Sequence, residues 1–201
     1  MSTGEDRRWI ESVLWRRLDD VGLEHCRLWV GREQSVLEGR VLVAEAESPL
    51  EIGYTVACNR KWETQAVDVV LIGGESSRVL ELRRDEQNRW WRDDARLPDM
   101  DGLVDVDLSV TPATNTLPIG RLGLDVGASA AVDAVWVRFP ELTLERLPQR
   151  YTRLDARRYR YESGGAFVAE LEVDVHDLVV RYGELWERVA GVEEVAPRAR
   201  G

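Results

Sequence analysis

Short runs of alternating apolar and polar residues dominate the chain, which is the period of two that a half-buried strand imposes. In Glu51 to Asn59, Ile52, Tyr54, Val56 and Cys58 fall on one face and Glu51, Thr55 and Asn59 on the other. Further strands are predicted over Gly22–Val30, Val36–Glu47 and Thr64–Ile72, the last ended by the hairpin signal Gly73-Gly74. Arg78–Arg84 pairs back, Arg89–Arg92 follows a turn, and Asp93–Gly102 reads as loop. Val104, Val106 and Leu108 then alternate with Asp105, Asp107 and Ser109. In the second half the same rhythm covers Val132–Phe139, Leu142–Leu147, Gln149–Leu154, Arg157–Glu162 and Leu178–Tyr182. Phe167, Ala169, Leu171, Val173 and Val175 make the cleanest inward face. Arg8–Asp20 fits both a helical stripe and a strand entry, with a short strand after a frayed N-terminus preferred. Glu184–Val189 is predicted as a short helix and Glu193–Gly201 as a tail.

The exception in this pattern is Thr111 to Leu122, TPATNTLPIGRL. Pro112 and Pro118 remove backbone donors, and Thr111, Thr114, Asn115 and Thr116 supply side-chain oxygens that bond nearby backbone. An ordered crossover is expected here. It is either a structural connector or a lip of N–H groups that, with Arg121, faces a polar or anionic ligand group. More than ten short strands at hairpin spacing, with few short helices, predict an all-β, mainly antiparallel barrel, roll or sandwich. One domain over 1–201 accommodates it, with two pseudo-repeated halves dividing near 111–122 left open.

Composition changes this picture little. The formal charge of −10 disfavours nucleic acid and anionic membrane as partners of the whole surface. Lys61 is the one lysine among 27 basic residues, a skew that points to a GC-rich coding genome rather than to anion binding. Residues 1–20 hold no apolar core of signal-peptide length, and no run reaches membrane-spanning length. A cytoplasmic protein that is not integral to a membrane is therefore expected, with Cys26 and Cys58 as free, buried thiols.

Several residues invite chemistry. His25 and Cys26 are adjacent on a strand and point to opposite faces, so they cannot act as a dyad. Asp99, Asp101, Asp105 and Asp107 lack the glycine-pinned loop of an oxygen-ligand metal site, and a solvated sheet face is the better account. No catalytic residue, metal site or cofactor is expected. The eight tryptophans are more informative. Trp90-Trp91 places large rings on both faces of one strand, and Trp136 is out of phase with Val135 and Val137. Such a sheet is either packed on both sides or wraps a cavity suited to a ligand with an apolar body and hydroxyl groups. The candidate ligand contacts are Trp62, Trp90, Trp91, Trp136, Tyr159, Tyr161, Asn115 and Arg121.

Longer strings carry a resemblance. Trp15-Arg16-Arg17-Leu18-Asp19 with Gly22 to Leu28, Val104 to Ser109 running into TPATNTLPIGRL, and Tyr151-Thr152 with Tyr159 to Glu162 are among them. With Phe167 to Asp174 and Leu178 to Tyr182, they resemble a bacterial family described as putative glycolipid-binding, from about residue 13 to 190. The resemblance implies a curled β-roll, like the half-open barrels that carry lipoprotein acyl chains between membranes. It implies a non-enzymatic protein that binds an amphipathic lipid, a glycolipid among the options. Its tails would lie along the inner sheet face and its headgroup would meet Trp, Tyr and the crossover. The alternative is a structural or protein-interaction domain whose roll is fully packed. The chain departs from the family pattern at His176-Asp177, where Asp-Gly is expected, and at Gly120, where a basic residue is expected.

Overall fold

A computed structural model describes residues 7–45, 48–74 and 76–193. The expected frayed N-terminus, the tail beyond Glu193 and the end of the Val36–Glu47 run lie outside the described residues. Among the described residues the chain begins with eight strands: β1 (Arg7–Arg17), β2 (Gly22–Gly31), β3 (Gln34–Glu45), β4 (Ser48–Asn59), β5 (Thr64–Gly73), β6 (Ser76–Arg84), β7 (Trp90–Arg92) and β8 (Ala95–Arg96). A short 3-10 turn, Pro98–Met100, leads to β9 (Asp105–Leu108). The crossover is a 3-10 turn, Ala113–Asn115, that runs into a two-turn helix, α1 (Thr116–Leu122). After it come β10 (Ser129–Arg138), β11 (Thr143–Arg153), β12 (Arg158–Ser163), β13 (Phe167–Val173), β14 (Val179–Tyr182) and β15 (Trp186–Glu193).

Among the described residues these strands form one sheet in the order 8-7-6-5-4-3-2-1-15-14-13-12-11-10-9. Two meanders thus unroll in opposite directions from a central seam, where β1 meets β15 antiparallel. Only β9 and β10 pair in parallel, because the crossover returns the chain to the same end of the sheet. The outer strands β8 and β9 are not neighbours in the sheet, so it curls without closing. The architecture is a half-open β-roll, as the alternation and the resemblance imply.

The crossover fills the roll. Thr111 to Ile119 are all buried, with Ala113, Thr116 and Leu117 fully so. Its polar side chains do what their chemistry suggests. Thr111 Oγ1 accepts the Ala113 N–H at 3.0 Å, and Thr114 Oγ1 accepts the Leu108 N–H at 3.3 Å. Asn115 Nδ2 donates to the Pro112 carbonyl at 3.1 Å. Pro118 sits in the first turn of α1, where its missing N–H would have no helical partner. Gly123 ends the helix at φ 51°, its N–H bonded to Ile119 O.

Three expectations need correction. Glu184–Val189 is not a helix: Trp186–Glu193 is a strand, paired with β1 and β14, and this remote pairing overrides a local helical spacing. Leu142–Leu147 and Gln149–Leu154 are one strand. Pro148 O accepts the Gly164 N–H at 3.2 Å, so the proline's donor-less side faces the β12 turn and leaves the β10 ladder intact. Val175 is exposed and Phe167 half-exposed at a rim, so the inward face of β13 narrows to Ala169, Leu171 and Val173. At the family departure before Leu178, Asp177 takes φ 62°, occupying the left-handed position that a glycine would take freely.

The seam is pinned by charge. Arg188 Nη1 donates to Glu11 at 2.7 Å, and Arg188 also pairs with Asp174, whose other oxygen accepts the His176 and Leu178 N–H groups. One guanidinium thereby ties β1, β15 and the turn before β14.

Candidate functional site

Where the crossover meets the inner face of the second meander, a cavity of about 570 Å³ remains. Its wall includes Asp107 from β9, Thr111 and Asn115 from the crossover, Trp136 from β10 and Tyr161 from β12. Phe167, Tyr182 and Trp186 close the aromatic side. Tyr161 is the hub of that side, with ring centroids 5.0 Å from Tyr151, 6.1 Å from Phe167 and 5.9 Å from Tyr182. These edge and tilted contacts suit ring quadrupoles.

A polar chain runs through the same wall. Gln149 Nε2 donates to Asp107 Oδ2 at 2.6 Å, and Tyr161 OH lies 3.4 Å from the same oxygen. Tyr151 OH donates to Asn115 Oδ1 at 2.9 Å. Burial pushes the Asp107 carboxyl up to about 6, with the Gln149 and Tyr161 hydrogen bonds opposing the rise. The expectation of a solvated face for Asp105 and Asp107 therefore fails. Their shared face points into the roll, where Asp105 is fully buried and Asp107 half-buried at the cavity wall.

Next to this cavity lies a second buried group. Glu24 of β2 is fully buried, and its Oε1 accepts Tyr54 OH at 2.5 Å and Thr111 Oγ1 at 2.7 Å. Oε2 is buried without a hydrogen-bond partner among the described residues. Burial pushes this carboxyl up to about 8, against the two hydrogen bonds. The neutral acid thus braces the first meander against the crossover. Burial also pushes the Cys26 thiol far up and the Cys58 thiol up to about 12, so neither is a reactive thiolate. His25 points outward, 2.7 Å from Ser12 Oγ.

The structure brings Asn115, Trp136 and Tyr161 of the predicted contacts together and places the other five elsewhere. Trp90 is a core residue, fully buried with Nε1 donating to Leu103 O at 2.9 Å. Trp91 faces outward beneath the Arg96 guanidinium. Trp62 packs over Gly120, where an added Cβ would lie 3.1 Å from its indole nitrogen. That contact accounts for the glycine in place of the expected basic residue. Tyr159 is buried on the inner face with Arg153 over its ring. Arg121 is engaged with Asp105, with Nε at 3.1 Å and Nη2 at 2.5 Å, and does not line the cavity. Burial raises the Asp105 pKa, and this ion pair restrains the rise. Sequence reasoning missed Asp107, Phe167, Tyr182 and Trp186 as wall residues. The shared face of Asp105 and Asp107 and the strand ending at Tyr182 were the available signals.

Among the described residues, no group of three or more His, Cys, Asp or Glu is arranged to hold a metal ion, and no helix is long and apolar enough to cross a membrane.

These features define a class of protein: an open β-roll with a buried crossover plug and one aromatic, partly polar cavity. A bacterial-type relative shares the fold. It is a DUF1089-family protein from Pseudomonas aeruginosa, known from a crystal structure at 1.80 Å resolution, and it is 32% identical with a TM-score of 0.76. The match covers 84% of this chain and 92% of that one. The family described as "Putative glycolipid-binding" matches residues 12–188, and the chain belongs to it. No curated protein matches the sequence.

Proposed function

We propose that this protein binds an amphipathic, hydroxyl-bearing lipid, a glycolipid in class, and does so as a carrier or sensor rather than as an enzyme. The observation that carries this reading is the composition of the cavity wall. That wall sets aromatic rings, among them Trp136 held beneath Arg138 at 4.9 Å, beside the carboxylate, amide and hydroxyl groups of Asp107, Asn115 and Thr111. Flat apolar rings pack against the carbon face of a sugar, while carboxylate and amide oxygens accept from its hydroxyls. The family description and the cavity thus favour the same ligand class. The hydrogen bonds of Asp107 to Gln149 and of Asn115 to Tyr151 favour binding over catalysis, because they hold these groups in place as fixed acceptors. The buried thiols of Cys26 and Cys58 suit the reducing cytosol.

Native mass spectrometry of gently purified protein, followed by organic extraction, tests this directly. A retained lipid with a glycan or polyol head is expected. A clean apo mass that stays unchanged after incubation with bacterial glycolipid extract would favour the packed structural domain.

A further inference from the structure

A second cavity, of about 740 Å³, lies at the ends of β1 to β5. Its wall is aliphatic, built from Val21, Leu23, Leu42, Val43, Leu50 and Ile72. Leu23 and Leu42 face each other across β2 and β3, and Leu42 is 55% exposed. The charged side chains at the rim are matched within the protein. Arg16 pairs with Glu187, Arg17 with Asp19 and Glu51 with Arg40, while Asp20 accepts the Val21 N–H at 2.7 Å. The groove therefore offers an occupant hydrocarbon contact rather than a charge.

Its position says what that occupant is. Arg17, in the wall of the groove, is the β1 partner of Trp186, which lines the aromatic cavity. The next residue, Leu18, donates its N–H at 2.8 Å to the carbonyl of Leu185, another wall residue of that cavity. The two cavities thus meet at the same end of one hydrogen-bonded seam, with Trp186 on the inner face and Leu23 and Leu42 on the outer face, so an occupant of both passes over the strand ends. We propose that the groove holds the hydrocarbon chain of the amphiphile whose hydroxylated head occupies the aromatic cavity, an inference that rests on the reading of that cavity given above. The inner face of the first meander is not free for this chain. It is filled by Val41, Ile52, Val56, Val67 and Val69, all fully buried.

Titration with methyl, octyl, decyl and dodecyl glucosides below their micelle-forming concentrations tests the proposal. In the wild type, affinity should rise about two- to fourfold per added methylene, the upper figure corresponding to about 0.8 kcal/mol for full burial. Leu42→Glu should flatten that dependence and leave methyl glucoside binding unchanged. Leu42 is exposed enough for the variant to fold, and Leu23→Ser on the facing strand should repeat the effect. Affinity independent of chain length, with methyl glucoside still bound, overturns the groove and leaves the head cavity standing. A chain-length dependence unaffected by both variants also overturns it, because the chain then lies elsewhere. Long-chain binding lost in Leu42→Glu, with no binding of methyl glucoside, keeps the groove and overturns the head-group reading. No binding of any glucoside overturns both.

Discussion

Glu24 and Asp107 show how single carboxyls inside the roll report on the fold and on the cavity. Folding raises Glu24 from an ordinary value near 4.5 to about 8, so the folded state holds a proton that the unfolded chain has released between those values. Stability from this group is therefore fully present below the lower value and falls by up to about 1.4 kcal/mol per pH unit as pH rises toward the upper one. Urea denaturation across this range should show wild type losing stability relative to Glu24→Gln, which cannot titrate. A constant difference would mean that the carboxyl is solvated. Asp107 bears on binding instead. Its carboxyl, pushed up to about 6, is charged at neutral pH, where the proposed function makes it an acceptor for ligand hydroxyls, and becomes neutral as pH falls through that value. Affinity for a glucoside should weaken on acidification, and Asp107→Asn should abolish that dependence. Equal affinity on both sides of the transition would remove Asp107 from the contact set.

At the scale of elements, the brace between β2, β4 and the crossover depends on one close approach. Gly39 of β3 faces Tyr54 of β4, and a Cβ on it would lie 2.2 Å from the tyrosine ring. Tyr54 cannot swing aside, because its hydroxyl is bonded to Glu24 in the core. Gly39→Ala should therefore destabilise the protein by about 1–3 kcal/mol or more through overpacking, read as a lowered denaturation midpoint. An unchanged midpoint would mean that the ring is mobile. This contact also marks the limit of sequence reading. Alternation in β4 exposed the inner face of Tyr54, Val56 and Cys58, because strand period is local. The prolines and threonines of the crossover announced an ordered break for the same reason. Nothing local tells Trp90 from Trp136, since both are strand tryptophans and only distant partners, Leu103 for one and the cavity for the other, separate them. Arg121 looked available until Asp105, sixteen positions away in the chain, was brought to it. Trp186 was lost to a helical spacing that its pairing with β1 overrides.

For the whole molecule, the decisive feature is that the first and last strands among the described residues meet at the middle of the sheet. Pairing of β1 with β15 joins residues as remote as Glu11 and Glu193, so the roll cannot close around its plug until nearly the whole chain is in place. That closure sets the aromatic cavity beside the seam, while the inner face of the first meander is packed solid. The inner faces of the two halves thus differ in kind, the first filled by side chains and the second left with a cavity. Trp90 and Trp136 sample the two. Trp90→Ala should cost about 3–5 kcal/mol, as removal of a packed ring does. The affinity of Trp136→Ala for octyl glucoside, compared with wild type, tests the central claim most directly. A loss of about 1–3 kcal/mol in binding is predicted, with a far smaller loss of stability than Trp90→Ala suffers. Unchanged affinity, together with a loss of stability as large as that of Trp90→Ala, would contradict it and make Trp136 another core residue.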